Sequence, residues 1–234
     1  MKINGVDIST KNMKLLKRDI TPSEVTNEFC WSGDMLLPST SDFNSRSFTT
    51  IDITIDCICK TNSEVEINKS WLSKQLTTGE FQFDDIFVDY KFFFISDSPI
   101  TCSGEGVGYQ SFSFSVKGYF YKDVVKNITD PRHINIDVLG NRKCPVKIEV
   151  NVSNCNNFII SGGCFENIKI SGINNSETIV IDGIKCAVSG NKNDVISRTE
   201  LWEFPCVDNI NYSVVFTPNN VVSSGKVTIR NIIC

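Results

Sequence analysis

The sequence predicts a mainly β protein, and three observations carry that prediction. The first is composition: of 234 residues, Ile, Val and Thr supply 28, 21 and 16, whereas Leu occurs eight times and Ala once, at Ala187. Stiff β-branched side chains suit the pleated, half-buried surface of a strand, while Ala and Leu head the helix scale. The second is the alternation of apolar and polar residues with a period of two in several separate runs. The third is punctuation of those runs by Gly, Asn, Asp, Ser and Pro, the residues that turns demand. The same counts argue against an all-helical or dinucleotide-binding α/β architecture.

Taken in order, the elements are as follows. A basic cluster, Lys11, Lys14, Lys17 and Arg18, lies next to Asp19 and reads as a solvated turn or hairpin. Thr21 to Phe48 is polar and long for an ordinary loop, and is expected to form a hairpin arm. Ile51, Ile53, Ile55, Cys57 and Cys59 alternate with Asp52, Thr54 and Asp56, giving a strand with one apolar and one acidic face. From Asn68 or Ser70 through Leu76 the β-branched residues vanish and Trp71, Leu72 and Leu76 fall at helical spacing, within a span from Asn68 to Thr77. A short helix is expected there, packed on a sheet by Trp71 and Leu76 and ended by Gly79 as a left-handed cap. Phe81 to Tyr90 reads as two apolar strands around a turn at Asp84 and Asp85, and Ser103 to Tyr109 as a glycine-rich hairpin loop. Phe112, Phe114 and Val116 then alternate with Ser111, Ser113, Ser115 and Lys117, in a strand expected to end at Tyr121.

The polar, Pro-containing stretch from Lys122 to Arg132 marks a domain boundary, giving modules 1–125 and 126–234. The first is an α+β unit, a β-sandwich with one short helix. The second is purely β, with short strands such as Ile134–Val138, Val146–Val152, Ile168–Ile170 and Ile179–Ile181 separated by turn residues. A sandwich or jelly roll is expected, closed around Ile168, Ile170, Ile179, Ile181, Val214, Phe216, Val227 and Ile229.

Chemistry is sparse. Net charge is −4, divided as −5 in the first module and +1 in the second. That lacks the basic stripe of a nucleic-acid binder, so no tight nucleic-acid binding is expected. No run approaches the ~18 apolar residues of a membrane span, and the start lacks a secretory signal, so the chain is expected to be soluble and unexported. Ten scattered cysteines in a chain able to bury its own core are expected to be reduced, buried thiols acting as small hydrophobes. With no Cys-x-x-Cys and a single histidine, His133, in the linker, neither a metal nor a cofactor is expected.

No catalytic constellation is found either. There is no Gly-x-Ser-x-Gly, and the Ser103–Tyr109 loop lacks the lysine of a phosphate-binding loop. A turn accounts for Asp84, Asp85 and Asp89 without a glycosidase mechanism. Trp31, Trp71 and Trp202 remain as recognition residues. Trp202 and Phe204 alternate about Glu203, so Trp202 is either packed in a core or interface or in contact with a ligand.

In this order the residues resemble the distal tail protein (Dit) family, the tail hub component of siphovirus phages. The opening Met-Lys-Ile-Asn-Gly-Val-Asp is similar to that family's start, as is the path through strand, Trp/Leu helix, Gly79-Glu80-Phe81 turn and Asp89-Tyr90-Lys91-Phe92-Phe93 strand. Gly140-Asn141 followed by Cys144-Pro145-Val146-Lys147-Ile148 resembles the start of its C-terminal sandwich. Ile168-Lys169-Ile170-Ser171-Gly172-Ile173 and Ile179-Val180-Ile181-Asp182-Gly183 resemble its recurring hairpin, and Phe204-Pro205, Asn211-Tyr212 and Val227-Thr228-Ile229 its last strands. The resemblance implies an N-terminal module that forms a homohexameric ring and a galectin-like C-terminal β-sandwich. It also implies a place at the distal end of the virion tail, after assembly in the host cytoplasm. The partners implied are the tail tube protein, the tail-associated hub protein, and receptor-binding or other adsorption proteins. The negative N-terminal module fits a channel that passes DNA without holding its phosphates. A carbohydrate-binding or adhesion β-sandwich protein is the alternative from another class.

Overall fold

The alternating run from Ile51 becomes the centre of the N-terminal part in the computed structural model. The structure describes residues 1–22, 25–26, 29–30, 39–40, 45–46, 48–95, 100–104, 108–130, 132, 134–139, 143–162, 165–192, 194–207 and 212–233; for 25–46, 94–95 and 212 it describes backbone alone. His133, Gly140 and Asn141 lie outside the described residues, as do the side chains of Trp31 and Cys30. Contacts divide the chain into two units, Met1–Phe120 and Tyr121–Ile233.

In chain order the first unit contains β1 (Lys2–Ile3), β2 (Val6–Asp7), a 3-10 turn (Ile8–Lys11) and β3 (Met13–Thr21). Four two-residue strands follow, β4 (Val25–Thr26), β5 (Phe29–Cys30), β6 (Ser39–Thr40) and β7 (Ser45–Arg46). Then come β8 (Thr49–Cys59), helix α1 (Asn62–Gln75), β9 (Gly79–Gln82), β10 (Asp89–Ile95), β11 (Thr101–Ser103) and β12 (Gly108–Asn127). β12 runs antiparallel to β8 from Gly108 opposite Cys59 to Gly118 opposite Thr49. Because side chains alternate across a strand, Ile51, Ile53, Ile55, Phe112, Phe114 and Val116 all turn inward and are buried. Leu72 of α1 and Leu76 at its C-cap are buried in the same core, with Trp71 packed beside them. Phe81, Tyr90 and Phe92 complete it, Phe81 lying 4.5 Å from Phe92 between ring centres. Gly118 is required where β12 meets β10, since a Cβ there would stand 1.8 Å from the Lys91 carbonyl oxygen.

Three features differ from the sequence expectation. The helix begins at Asn62 instead of Asn68, because Thr61 Oγ1 accepts the Glu64 amide at 3.2 Å while the Glu64 carboxylate accepts the Lys60 amide. This is a variant of the capping box in which the glutamate reaches the amide one residue ahead of the N-cap, and the β-branched Val65 and Ile67 disguise it. Gly79 is not a left-handed cap: Leu76 ends the helix, and Gly79 opens β9. Its side is filled by Asn4, whose Oδ1 would lie 1.8 Å from a Cβ. Asn4 Oδ1 accepts the Glu80 amide at 2.9 Å, and its Nδ2 donates at 3.0 Å to the Gln75 carbonyl and to Gln75 Oε1. Asn4 thus ties the first hairpin to the end of the helix, at a left-handed φ of 50° that Asn tolerates better than most residues.

The third difference is the length of β12, which does not end at Tyr121 but continues to Asn127, so that the division of contacts at Phe120/Tyr121 falls inside a strand. In the second unit, the polar residues Lys122 to Asn127 are strand. Arg230 bonds both carboxylate oxygens of Asp123 at 2.9 and 2.8 Å and lies 4.0 Å over the Tyr121 ring.

The second unit continues with β13 (Ile134–Ile136), β14 (Cys144–Val152), β15 (Cys155–Gly162), β16 (Ile168–Ile173), β17 (Glu177–Asp182) and β18 (Ala187–Gly190). A 3-10 turn (Ile196–Arg198) leads to β19 (Thr199–Glu200), β20 (Cys206–Val207) and β21 (Tyr212–Thr217), and another (Asn219–Val221) to β22 (Val222–Ile233). β18, β17, β14 and β22 are successive neighbours in one sheet, and β13, β21, β15, β16 and β19 form the other. The residues expected to close the core, from Ile168 and Ile170 to Val227 and Ile229, are buried and belong to one cluster fed by both sheets. That is a β-sandwich. At the β17 to β18 turn, Asp182 Oδ1 accepts the Ile184 and Lys185 amides, each at 3.0 Å.

Glu177, with its side chain 1% exposed, accepts from Lys192 at 2.6 Å and from Arg198 at 2.7 Å. Arg198 also donates to the carbonyls of Ser171 and Gly172, so this network joins β17 to β16 of the opposite sheet. Burial pushes the Glu177 carboxyl up, but the hydrogen bonds from Arg198 and Lys192 outweigh it and hold the group below its usual range.

The thiols divide. Cys57, Cys59 and Cys144 are buried as expected, but Cys102 and Cys186 are exposed. Cys102 lies on β11, all of whose residues are exposed, and Cys186 occupies a turn at φ 51°. Burial, and then the neighbouring Cys59 thiol 3.5 Å away, pushes Cys57 up to about 12.

Two predictions follow from these contacts. Gly79→Ala should destabilise the chain by about 1–2 kcal/mol and lose much of that penalty in an Asn4→Gly background, which a double-mutant cycle of urea denaturation would read. Additive effects would show that Asn4 is not the obstacle. Glu177→Gln should cost about 2 kcal/mol near neutral pH. The carboxyl titrates lower folded than unfolded, so its contribution is complete above its unfolded pKa and disappears as pH falls through the folded value. The variant's melting temperature should therefore converge on that of the parent in acid, as pH-dependent thermal denaturation would show.

Candidate functional site

The face of the N-terminal unit opposite its core is built by the same alternation. Ser111 donates to Asp56, Ser115 to Asp52, and Thr54 lies 3.0 Å from Ser113, each pair directly opposed across β8 and β12. The outer face is thus a ladder of hydroxyls and carboxylates. It ends in apolar side chains at both extremities. Ile58 and Tyr109, a cross-strand pair, are 51% and 74% exposed. At the other end Phe93 stands 5.4 Å from Phe48 and 5.3 Å from Tyr119 between ring centres, with Phe48 and Phe93 each 41% exposed.

The segment expected to be an arm folds back on itself. Val25 and Thr26 pair antiparallel with Arg46 and Ser45, keeping the register set where Thr21 meets Thr50. Phe29 and Cys30 pair with Thr40 and Ser39. The four short strands therefore pair as two successive two-residue ladders, β4 with β7 and β5 with β6.

Lys14, Lys17 and Arg18 of the basic cluster lie on strand β3 and not in a turn, and two of the four cations are paired. Lys17 pairs with Asp19, and Arg18 grips both oxygens of Asp85 at 2.8 and 2.7 Å while its guanidinium lies 4.4 Å over the Phe83 ring. The Met1 ammonium bonds Asp84 at 2.7 Å. Asp84 and Asp85 do lie in a turn, and with Met1 and Arg18 they border an open cleft of about 710 Å³. Arg18 holds the Asp85 carboxyl below its usual range, the opposite of what a general acid requires. Among the described residues no group of three or more His, Cys, Asp and Glu side chains could hold a metal ion, and no helix is long and apolar enough to cross a membrane.

Of the alternatives open for Trp202, the structure removes burial in a core: the side chain is 86% exposed. β19 stops at Glu200 and a bend follows, so strand alternation does not extend over residues 201–204. Leu201 and Phe204 are the side chains that pack against the sandwich core. Glu203 accepts the Glu166 amide at 3.1 Å and the Pro205 carbonyl accepts the Val146 amide at 2.9 Å, fixing the bend on both sides. Trp202 lines an open cleft of about 430 Å³ together with Phe165, Glu166, Asn167, Lys169 and Glu200. Trp71, in contrast, is half-buried against the N-terminal core.

No protein-family model matches the sequence, and no curated protein matches it significantly. Among solved structures the chain is similar to the crystal structure of SPP1 Dit (gp 19.1), described as a paradigm of hub adsorption apparatus in Gram-positive infecting phages. The TM-score is 0.63 at 10% sequence identity, over 99% of this chain and 97% of that one. Both units of this chain, and the mainly β architecture that joins one helix to a C-terminal sandwich, therefore follow the fold of a phage hub protein from end to end.

Proposed function

We propose that this chain is a structural component of a phage tail tip, a distal tail protein whose N-terminal module assembles into a homohexameric ring. The ring connects the tail tube to the adsorption apparatus. The galectin-like C-terminal sandwich carries the outward contacts to receptor-binding or other adsorption proteins, and the tail-associated hub protein lies beyond. The observation that carries this reading is the likeness of fold to SPP1 Dit over nearly the whole of both chains. Two features of the N-terminal unit support it. The short paired strands between Thr21 and Thr50 form an arm of the kind one subunit can lay on the next, and the apolar ends of the outer face offer surface for such a contact. A closed ring needs a heterologous interface, one patch meeting a different one on the neighbour, and an arm with a separate apolar seat meets that requirement. The role is structural and its place is the distal end of the virion tail.

The non-ring alternative, a carbohydrate-binding or adhesion module, has one observation behind it, the exposed indole of Trp202. Oligomeric state separates the two. Removing residues 31–38 and closing the arm with a two-residue turn should shift the species seen by light scattering from hexamer towards monomer, with little change in melting temperature. An unchanged hexamer would take the ring contact away from the arm, and a parent chain that is monomeric at tens of micromolar would favour the alternative.

A further inference from the structure

We infer that the cleft lined by Trp202 is a binding site for an uncharged saccharide. This does not rest on the hub reading, since a site on the C-terminal sandwich serves a tail tip and a free adhesion module alike.

A Trp side chain left 86% exposed on a bend anchored by Glu203 and Pro205 forgoes the burial that its neighbours Leu201 and Phe204 obtain. It presents a flat apolar surface with an N–H at its rim. Beside it, Phe165 is 8% exposed and floors the cleft, while the other lining groups are the polar side chains Glu166, Asn167, Lys169 and Glu200. Lys169 and Glu200 are directly opposed on β16 and the edge strand β19, with Nζ 3.7 Å from a carboxylate oxygen, so the pairing register holds a donor and an acceptor together.

This combination matches sugar chemistry. One face of a pyranose is a patch of C–H groups that stacks on an aromatic ring, and its rim carries hydroxyls that each donate and accept. Asn167 offers both functions, the glutamates accept, and Lys169 donates. Charge narrows the class further: Glu166 and Glu200 against Lys169 leave the lining net negative, which disfavours phosphorylated or acidic glycans. A protein-docking centre would look different, because interface cores are depleted of charged residues, whereas three of the five groups beside Trp202 are ionisable.

The test is saturation-transfer NMR on the purified full chain with millimolar glucose, galactose and N-acetylglucosamine oligosaccharides, beside glucose 6-phosphate as the charged probe. The expected result is transfer to at least one uncharged oligosaccharide, strongest on one face of a ring, and weaker transfer to the phosphate ester. Trp202→Ala should reduce affinity at least about tenfold, Trp202→Phe should retain part of it, and Asn167→Ala should weaken it. The melting temperature and the oligomeric state should be unchanged in all three variants. No transfer to any uncharged probe, transfer indifferent to Trp202→Ala, or a preference for glucose 6-phosphate would overturn the proposal. Dissociation of the oligomer by Trp202→Ala would also overturn it, and would make the indole a protein contact. Ring assembly is scored in the same samples, so failure of sugar binding and failure of the hub reading give different results.

Discussion

The paired register of β8 and β12 is the constraint on which the N-terminal unit depends. From Gly108 opposite Cys59 to Gly118 opposite Thr49 the two strands run without a shift, and side chains alternate between core and surface along both. A slip by one residue would turn Asp52, Asp56, Ser111 and Ser115 inward and expel Ile51, Ile53, Phe112 and Phe114. Burying carboxylates without partners is prohibitive, so the register is held strongly. The helix packs on the inner face that this pairing creates, and the hydroxyl and carboxylate ladder occupies the outer one.

The parts of the fold that were legible in the sequence are those where one residue type has one physical reason to be in place. The Ile51 and Phe112 runs, the Asp182-Gly183 turn and the sandwich core residues read correctly because a period of two and a turn requirement are local properties. The helix start was obscured because Val65 and Ile67 contradict a helix while Thr61 and Glu64 specify its cap. Gly79 was misread because its need is a tertiary one, the Asn4 amide that fills the space of a side chain. The polar end of β12 looked like a linker because its partner, Arg230, lies far away in sequence.

The candidate site was less legible. Trp202 beside Phe204 mimics strand alternation, and what defeats that pattern is the termination of β19 and the bonding of Glu203 to the Glu166 amide. None of these contacts has a short-range signature. The cleft partners Lys169 and Glu200 become neighbours through strand pairing alone. The same holds for Glu177, a glutamate in an apolar run that is buried because Arg198 and Lys192 reach it. Buried polar groups of this kind join one sheet of the sandwich to the other and leave its loops free to vary in function.

Ion pairs between Arg18 and Asp85, Arg230 and Asp123, and Arg198 and Glu177 link elements that are distant in sequence. The remaining chemistry lies on surfaces. Electron microscopy of the purified full-length chain, with class averages of the particles, tests the account most directly. It predicts closed hexameric rings in which the arm of each subunit lies on the next; monodisperse single subunits, or open filaments, would contradict it.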